Sequence, residues 1–537
     1  MATGRLCAIG MGCGIWLAVA APAAMAQNLA WINQFGSVST DDASSVSVNG
    51  AAVYVGGSTS GALPGQTTNG SQDGYVRKYD ASGGELWTRQ FGTSLVDQVL
   101  CLAADATGVY GAGYTRGTFA GQASAGSLDA FVRRYDASGN ELWTRQFGTP
   151  SVDQAMAIAA DATGVYVAGS TSGAFAGQTS IGMEDAFVRK YDSNGNELWT
   201  RQFGTPSSDQ VLGMAADGTG VYVAGSTGST LPGQSSTGSE DAFVRKYDAN
   251  GNELWTRQFG STSFDMGRSV ALDATGVYVA GVTLGALPGQ TNAGSTDGFL
   301  RKYDANGSEL WTRQFGSAST DDALAAAGGA AGVFVAGFTM GALPGQVSAG
   351  MADAFVRCYD ANGGEQWSLQ FGTSTTEAAR GVSAGASGAY LAGFSFGVLP
   401  GQTAAGFQDA YLARLADPAP SVMQVAIDIK PGDFPNAINL RSRGTVPVAI
   451  LSSPTFDARA VDPTTVTLAR APVQLRGNGA PMASLEDVNG DGLPDLVVHV
   501  DTEMLQINAT DTEAVLEGMT FDGKRISGKD SIQVVSK

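Results

Sequence analysis

The apolar positions of this chain fall in short runs separated by tight-turn residues. Residues 155–160, AMAIAA, form one apolar run, and Val165–Thr171 form a second rich in valine and small side chains. Ala186–Tyr191 mixes apolar and charged residues, as a partly exposed strand does, and Glu197–Phe203 completes a group of four expected strands. Asp161-Ala162-Thr163-Gly164 reads as a turn between the first two. Asn194-Gly195 predicts a type I′ hairpin before the last, because that turn needs positive φ at both central residues. Ala168-Gly169 marks a crowded place where backbones approach closely.

The group then repeats. Trp31, Trp87, Trp143, Trp199, Trp255, Trp311 and Trp367 recur with constant spacing, 87 − 31 = 56 residues, and no insertion disturbs it. One acidic series repeats with them at Asp41, Asp97, Asp153, Asp209, Asp265, Asp321 and Glu377. A second stands at Asp73, Asp129, Asp185, Asp241, Asp297, Asp353 and Asp409. Four short strands at fixed period predict propeller blades, with a solenoid of stacked sheets as the competing arrangement. Two fragments favour the propeller. Leu29–Gly36 has the tryptophan strand without the three before it, and Thr373–Leu415 has those three without the tryptophan strand after them. Joined, they complete one sheet and hide its edges. The expected fold is therefore all-β: a seven-bladed β-propeller over residues 27–416, closed by an N-terminal outer strand.

The pattern WTRQFG…DxTGVYVAG…DAFVRKYDANG resembles the bacterial seven-bladed β-propeller repeat family, SBBP. The resemblance implies the fold and an exported protein; members of that family carry mostly no assigned activity. The last unit departs most, with Ser368-Leu369 after Trp367 and Leu415-Ala416 in place of Tyr-Asp.

Each repeated residue admits two roles. The tryptophans are expected as wedges between blades, against the alternative of an aromatic platform for sugars. The acidic series are expected to cap turns and accept backbone N–H groups; alternatively they line an acidic face that collects cations or binds polyhydroxyl ligands. Positions that break the repeat, among them Phe119, Phe175, Met183, Met340, Met351, Phe396 and Phe407, are candidates for ligand contact, because loops on a rigid scaffold carry recognition.

Charge and rare residues narrow the chemistry. With 31 basic against 50 acidic residues, net −19, the chain repels phosphate backbones and anionic lipid surfaces, so nucleic acid is not an expected partner. The one histidine, His499, lies beyond the repeats, which removes histidine triads and histidine-bound metals from them. Carboxylate pairs of the glycosidase kind stay open. The Gly-rich turns lack the lysine and helix of a phosphate loop. Residues 1–26 read as a signal peptide: Arg5, an apolar run from Leu6 to Ala21, then Ala24-Met25-Ala26 before Gln27. An uncleaved anchor is the alternative, and Cys13 makes a poor lipidation site. Beyond this segment no run of about 18 apolar residues suggests a membrane span. The destination is expected to be periplasm, cell surface or medium. Cys101 and Cys358 are expected as unpaired buried thiols.

Composition shifts at Asp417-Pro418-Ala419-Pro420, so residues 417–421 are a linker and 422–537 a smaller β-sandwich. The stretch IDIKPGDFPNAINLRSRGTVPVAIL, with DVNGDGLPDL, resembles a module attached to exported bacterial proteins, for which the resemblance implies no activity. In Asp487-Val488-Asn489-Gly490-Asp491-Gly492-Leu493-Pro494-Asp495, hard oxygen donors alternate along a glycine-bent loop, a pattern suited to Ca²⁺. Asp487, Asn489, Asp491 and Asp495 would supply side chains and Leu493 its carbonyl. An EF-hand is excluded because its twelfth position is Val498, and an Asx-rich turn without metal is the alternative. The function expected is non-catalytic binding of an extracellular glycan or surface protein. The alternatives are a polysaccharide-active enzyme using face carboxylates, and a structural envelope or matrix component.

Overall fold

The computed structural model describes residues 29–537 except 386–387, 417–421, 455, 522–523 and 536–537. The expected signal peptide and linker lie outside the described residues. The chain divides into two compact units, one up to Ala416 and one from Asp417.

The first unit is a β-propeller-type repeat of four-stranded antiparallel sheets, seven of them among the described residues. In one, strands 153–161, 164–171, 185–191 and 197–203 pair in sequence order. The register shifts between Ala155 and Ala157, a bulge that leaves Met156 without a cross-strand partner. There Gly169 has no room for a side chain: a Cβ would overlap the Gln154 carbonyl. Close backbone approach is thus the reason for this glycine.

The hairpin before the tryptophan strand forms, but not as a type I′ turn. Only Gly195 has positive φ (78°), and its N–H donates to the Asp192 carbonyl at 3.0 Å. Asp192 Oδ1 accepts the N–H groups of Asn194 and Asn196 at 2.8 Å each. The aspartate organises the loop, and the register slips by one between Lys190 and Tyr191.

The sheet of strands 377–385, 388–395 and 409–415 takes its fourth strand from Leu29–Phe35, which pairs antiparallel with 409–415, Phe35 opposite Ala410. The innermost strands touch in succession along the chain, and 377–385 touches 41–49. Apolar side chains fill the spaces between neighbouring sheets. Val165, Val167 and Phe187 pack with Tyr110, Ala112 and Val132 of the preceding sheet. Phe187 is fully buried and meets Phe147 edge to face at 5.9 Å. Burying one such ring contributes about 2–3 kcal/mol.

The second unit is also all-β. Strands 422–424, 525–531, 513–520, 461–468 and 471–472 form one sheet, and 427–429, 445–450, 495–501 and 483–486 another. Ile427, Val448 and Val498 of one share a single core with Val466, Leu516 and Ile526 of the other.

Candidate functional site

The tryptophans occupy sheet junctions. Trp199 lies 6.0 Å from Tyr166 of its own sheet and 6.4 Å from Tyr247 of the next. Its indole N–H donates to the Ala249 carbonyl at 3.1 Å, and Gly251 leaves room for its ring. Most of these indoles are half-buried, and Trp367 is buried. Trp87, Trp143, Trp199, Trp255 and Trp311 each donate to a hairpin carbonyl and hold one sheet against the hairpin of the next.

The two acidic series do not form an exposed face. All fourteen carboxylates are buried, none more than 1% exposed. Asp209 accepts the Thr205 N–H at 2.6 Å and its hydroxyl at 2.9 Å, bracing the turn before its own strand. Burial raises the pKa of Asp209 above the ordinary carboxylate value, against the pull of its Thr227 and Thr205 hydrogen bonds; Asp41, Asp153 and Asp265 are raised by the same cause. In the second series Asp185 Oδ2 accepts the amide of Gln202 at 2.8 Å. The same amide donates to the Gly173 carbonyl at 2.8 Å, while Gln202 Oε1 accepts the Phe175 N–H at 3.0 Å. Glutamines at 34, 90, 146, 258, 314 and 370 make the same bond to their aspartates. Sequence reasoning missed this lock, although the glutamine recurs in every RQFG-type segment.

Phe119 and Phe175, two of the repeat-breaking candidates, are buried packing residues. Met183, Met340, Met351, Phe396 and Phe407 are exposed. Three consecutive positions from each inner strand, 44–46 and every 56 residues onward to 380–382, line one cavity of about 190 Å³. The only charged side chains among these lining residues are Arg268 and Arg380. Each pairs with an aspartate on the next inner strand, Arg268 with Asp322 at 2.8 Å and Arg380 with Asp42 at 3.0 Å. Burial raises both aspartates, opposed by their arginines. Arg380 also lies 4.9 Å over the ring of Phe394, which begins an aromatic row: Phe394 to Phe396 at 5.7 Å and Phe396 to Phe407 at 5.4 Å, both edge to face. Sequence reasoning singled out Phe396 and Phe407 but missed the two arginine–aspartate pairs. The signal that finds them is the joint appearance of arginine and aspartate at two junctions out of seven.

In the second unit, Asp487 accepts the N–H groups of Gly490 at 2.9 Å, Asp491 at 3.1 Å and Gly492 at 3.0 Å. Asn489 accepts from Asp491 at 3.0 Å, and Asp491 accepts from Leu493 at 2.8 Å. The three side chains are exposed along one loop. Asp495 is buried, and its carboxylate accepts the N–H groups of Ser452 at 2.7 Å and Val488 at 3.0 Å. It ties the loop to Ser452, just beyond strand 445–450. Among the described residues no three His, Cys, Asp or Glu side chains converge as a metal-holding group. His499 meets the Thr445 hydroxyl at 3.4 Å, and Cys101 and Cys358 are free and buried.

No family model matches the chain. Regulatory protein FlaEY of Caulobacter vibrioides is 34% identical over 181 residues, which cover 29% of this chain and 19% of that protein. The chain thus spans about a fifth of the length of that relative. Among solved structures, the Pan2 WD40 domain of Neurospora crassa is 10% identical over 71% of this chain and 95% of that one, with a TM-score of 0.36. Sqt1 of Chaetomium thermophilum is 11% identical over 70% and 86%, with a TM-score of 0.36. The phage phi92 endosialidase is 10% identical over 92% and 78%, with a TM-score of 0.37. Strand order and register, not these alignments, define the architecture given above. No helix among the described residues is long and apolar enough to cross a membrane.

Proposed function

We propose that this chain is an exported binding scaffold: a closed seven-bladed β-propeller of the SBBP kind, followed by a β-sandwich that Ca²⁺ stabilises. The observation that carries the binding reading is the break in symmetry at the cavity. A frame repeated almost without change holds one sector where an arginine, an ion pair and exposed aromatic rings adjoin. A scaffold that only filled space would not require that sector. Carboxylate-based catalysis is disfavoured by a positive finding: the fourteen repeated carboxylates are buried among structural hydrogen bonds. The partner is an extracellular glycan or surface protein.

The donor set of the Asp487–Asp495 loop fits Ca²⁺, with three oxygen-bearing side chains at alternate positions and glycines at 490 (φ 74°) and 492 (φ 85°) allowing the bend. Asp487, Asn489 and Asp491 would supply side-chain oxygens to the ion, joined by the Leu493 carbonyl and Asp495. Residues 1–26 would direct export and be removed.

The test is a binding screen of the purified full protein against glycan and peptide panels, in Ca²⁺ and in EDTA, with released sugar recorded. Binding without release is the expected result, and sugar release overturns the reading. Thermal melting in the same buffers checks the ion. Ca²⁺ at 100 times its Kd should add about 2.7 kcal/mol of stability, and Asp491→Ala should abolish that gain. Sequencing of the exported protein's first residues should begin at Gln27.

A further inference from the structure

The row of rings beside Arg380 reaches from the cavity outward. Phe396 donates its N–H to the Thr376 carbonyl at 3.1 Å, and Met351 of the preceding unit donates to Thr375 at 2.8 Å, so both flank one loop tip. Phe407 donates to the Ser39 carbonyl at 3.1 Å, beside Val38. Met351, Phe396, Phe407 and Val38 are all exposed, Phe407 by 73%. No other unit carries an aromatic ring at either of the positions of Phe396 and Phe407. Where Phe407 stands, the other units have Ser71, Ser127, Met183, Ser239, Ser295 and Met351; where Phe396 stands, they have Ser60, Arg116, Ser172, Gly228, Leu284 and Met340. The second arginine–aspartate pair, Arg268 with Asp322, lacks such rings: its unit carries Leu284 and Ser295 there.

Resting on the binding-scaffold reading, we infer that this sector is the recognition site, and that it takes a protein segment presenting a carboxylate beside apolar side chains. Three observations favour that occupant. Arg268 and Arg380 are the only charged side chains among the residues lining the cavity, so a ligand that enters it meets cationic donors rather than carboxylates. Arg380 Nη1 lies 3.0 Å from Asp42 Oδ2, and the arginine side chain stays 43% exposed. A guanidinium carries five donors, so its open edge can hold a ligand carboxylate in two bonds while Asp42 fixes its direction. Asp42 is thus a positioning residue; its remaining oxygen, Oδ1, is buried and offers a ligand no contact. Finally, the exposed row is phenylalanine, methionine and valine, side chains that pack against apolar side chains of a partner.

The test uses the full protein and labelled hexapeptides bearing one Asp between Leu or Phe residues, each with an Asn-substituted match. The acidic peptides should bind, with the Asn matches weaker by about tenfold. Phe396→Ser with Phe407→Ser installs residues that other units already carry, so folding should be intact while affinity falls by about tenfold or more. Arg380→Leu with Asp42→Gln recreates the combination found at Leu100 and Gln154. It should erase the preference for Asp over Asn, and melting temperature certifies the fold of both variants. Absence of peptide binding, or binding that neither variant changes, overturns the site. Binding of a uronic-acid polysaccharide that both variants abolish overturns the peptide assignment and leaves the scaffold reading standing. Ligand binding in the general screen that ignores both variants overturns this site alone.

Discussion

The sheet of residues 209–259 and the sheet that joins 377–415 to 29–35 share a frame and differ in what they show to solvent. Both have four antiparallel strands, a bulge in the inner strand, and a glutamine locked to a buried aspartate. In the first, Leu212 faces the cavity, and Ser226 and Gly228 occupy the positions of Phe394 and Phe396. In the second, Arg380 and the aromatic row replace them. The frame is therefore set by residues pointing between sheets and into turns, and it tolerates wide change at the cavity and at the loop tips. Recognition can be written there without touching the fold.

Four measurements break or sharpen this comparison. The largest effect is expected from the tryptophans. Trp199→Ala should lower stability by about 3–5 kcal/mol in chemical denaturation, through lost ring contacts and space beside Gly251. Trp31→Ala, in the last sheet, should cost about 1 kcal/mol less, because the Trp31 indole nitrogen is buried without a hydrogen-bond partner. Equal losses would mean the two sheets are fastened alike. Next, Gln202→Ala and Gln34→Ala each remove a donor from a buried carboxylate and should each cost about 2–3 kcal/mol. A negligible loss in either would dismiss the glutamine lock.

A smaller effect separates the cavity from the frame. Arg380→Leu alone leaves Asp42 unpaired and should destabilise by about 1–2 kcal/mol, discounted for the arginine's exposure. Adding Asp42→Gln should restore that stability. If the double variant is no better, the pair does not act as a unit. The smallest effect is in pH dependence. The pKa of Asp209 is raised by burial, so its contribution is fully present below the unfolded value of 3.8 and is lost as pH rises through the raised folded value. Asp209→Asn should remove that part of the slope above pH 3.8, read from melting temperatures at successive pH values; an unchanged slope would contradict the raised value.

Much of the frame is legible in the sequence. The run AMAIAA and the segment ELWTRQF named strands whose observed bounds, 153–161 and 197–203, differ little from the reading. Two features escaped. Asp209 accepts a turn N–H, as expected of the acidic series, but its complete burial is not legible in a residue type that usually faces water. The partnership of Arg380 with Asp42 spans most of the chain, and local pattern cannot reveal a pair that the strand 41–49 and the strand 377–385 create only by meeting. The hairpin at Asn194-Gly195 was located correctly and its geometry was not, because Asp192 satisfies the loop in a way that dipeptide statistics do not contain.

The strand Leu29–Phe35 gives this molecule a timetable. Its partner strand ends at Leu415, 415 − 35 = 380 residues later. At synthesis rates of about 5–20 residues per second, roughly 20–80 s separate the two. Throughout that interval the first strand is an unclaimed ribbon with open N–H and C=O groups, and Asp409 has yet to receive the Gln34 amide. Six sheets can assemble from neighbours in sequence while this one waits. A holdase that shields residues 29–35, or transit across a membrane before assembly, would protect the chain when strand exchange between copies is easiest.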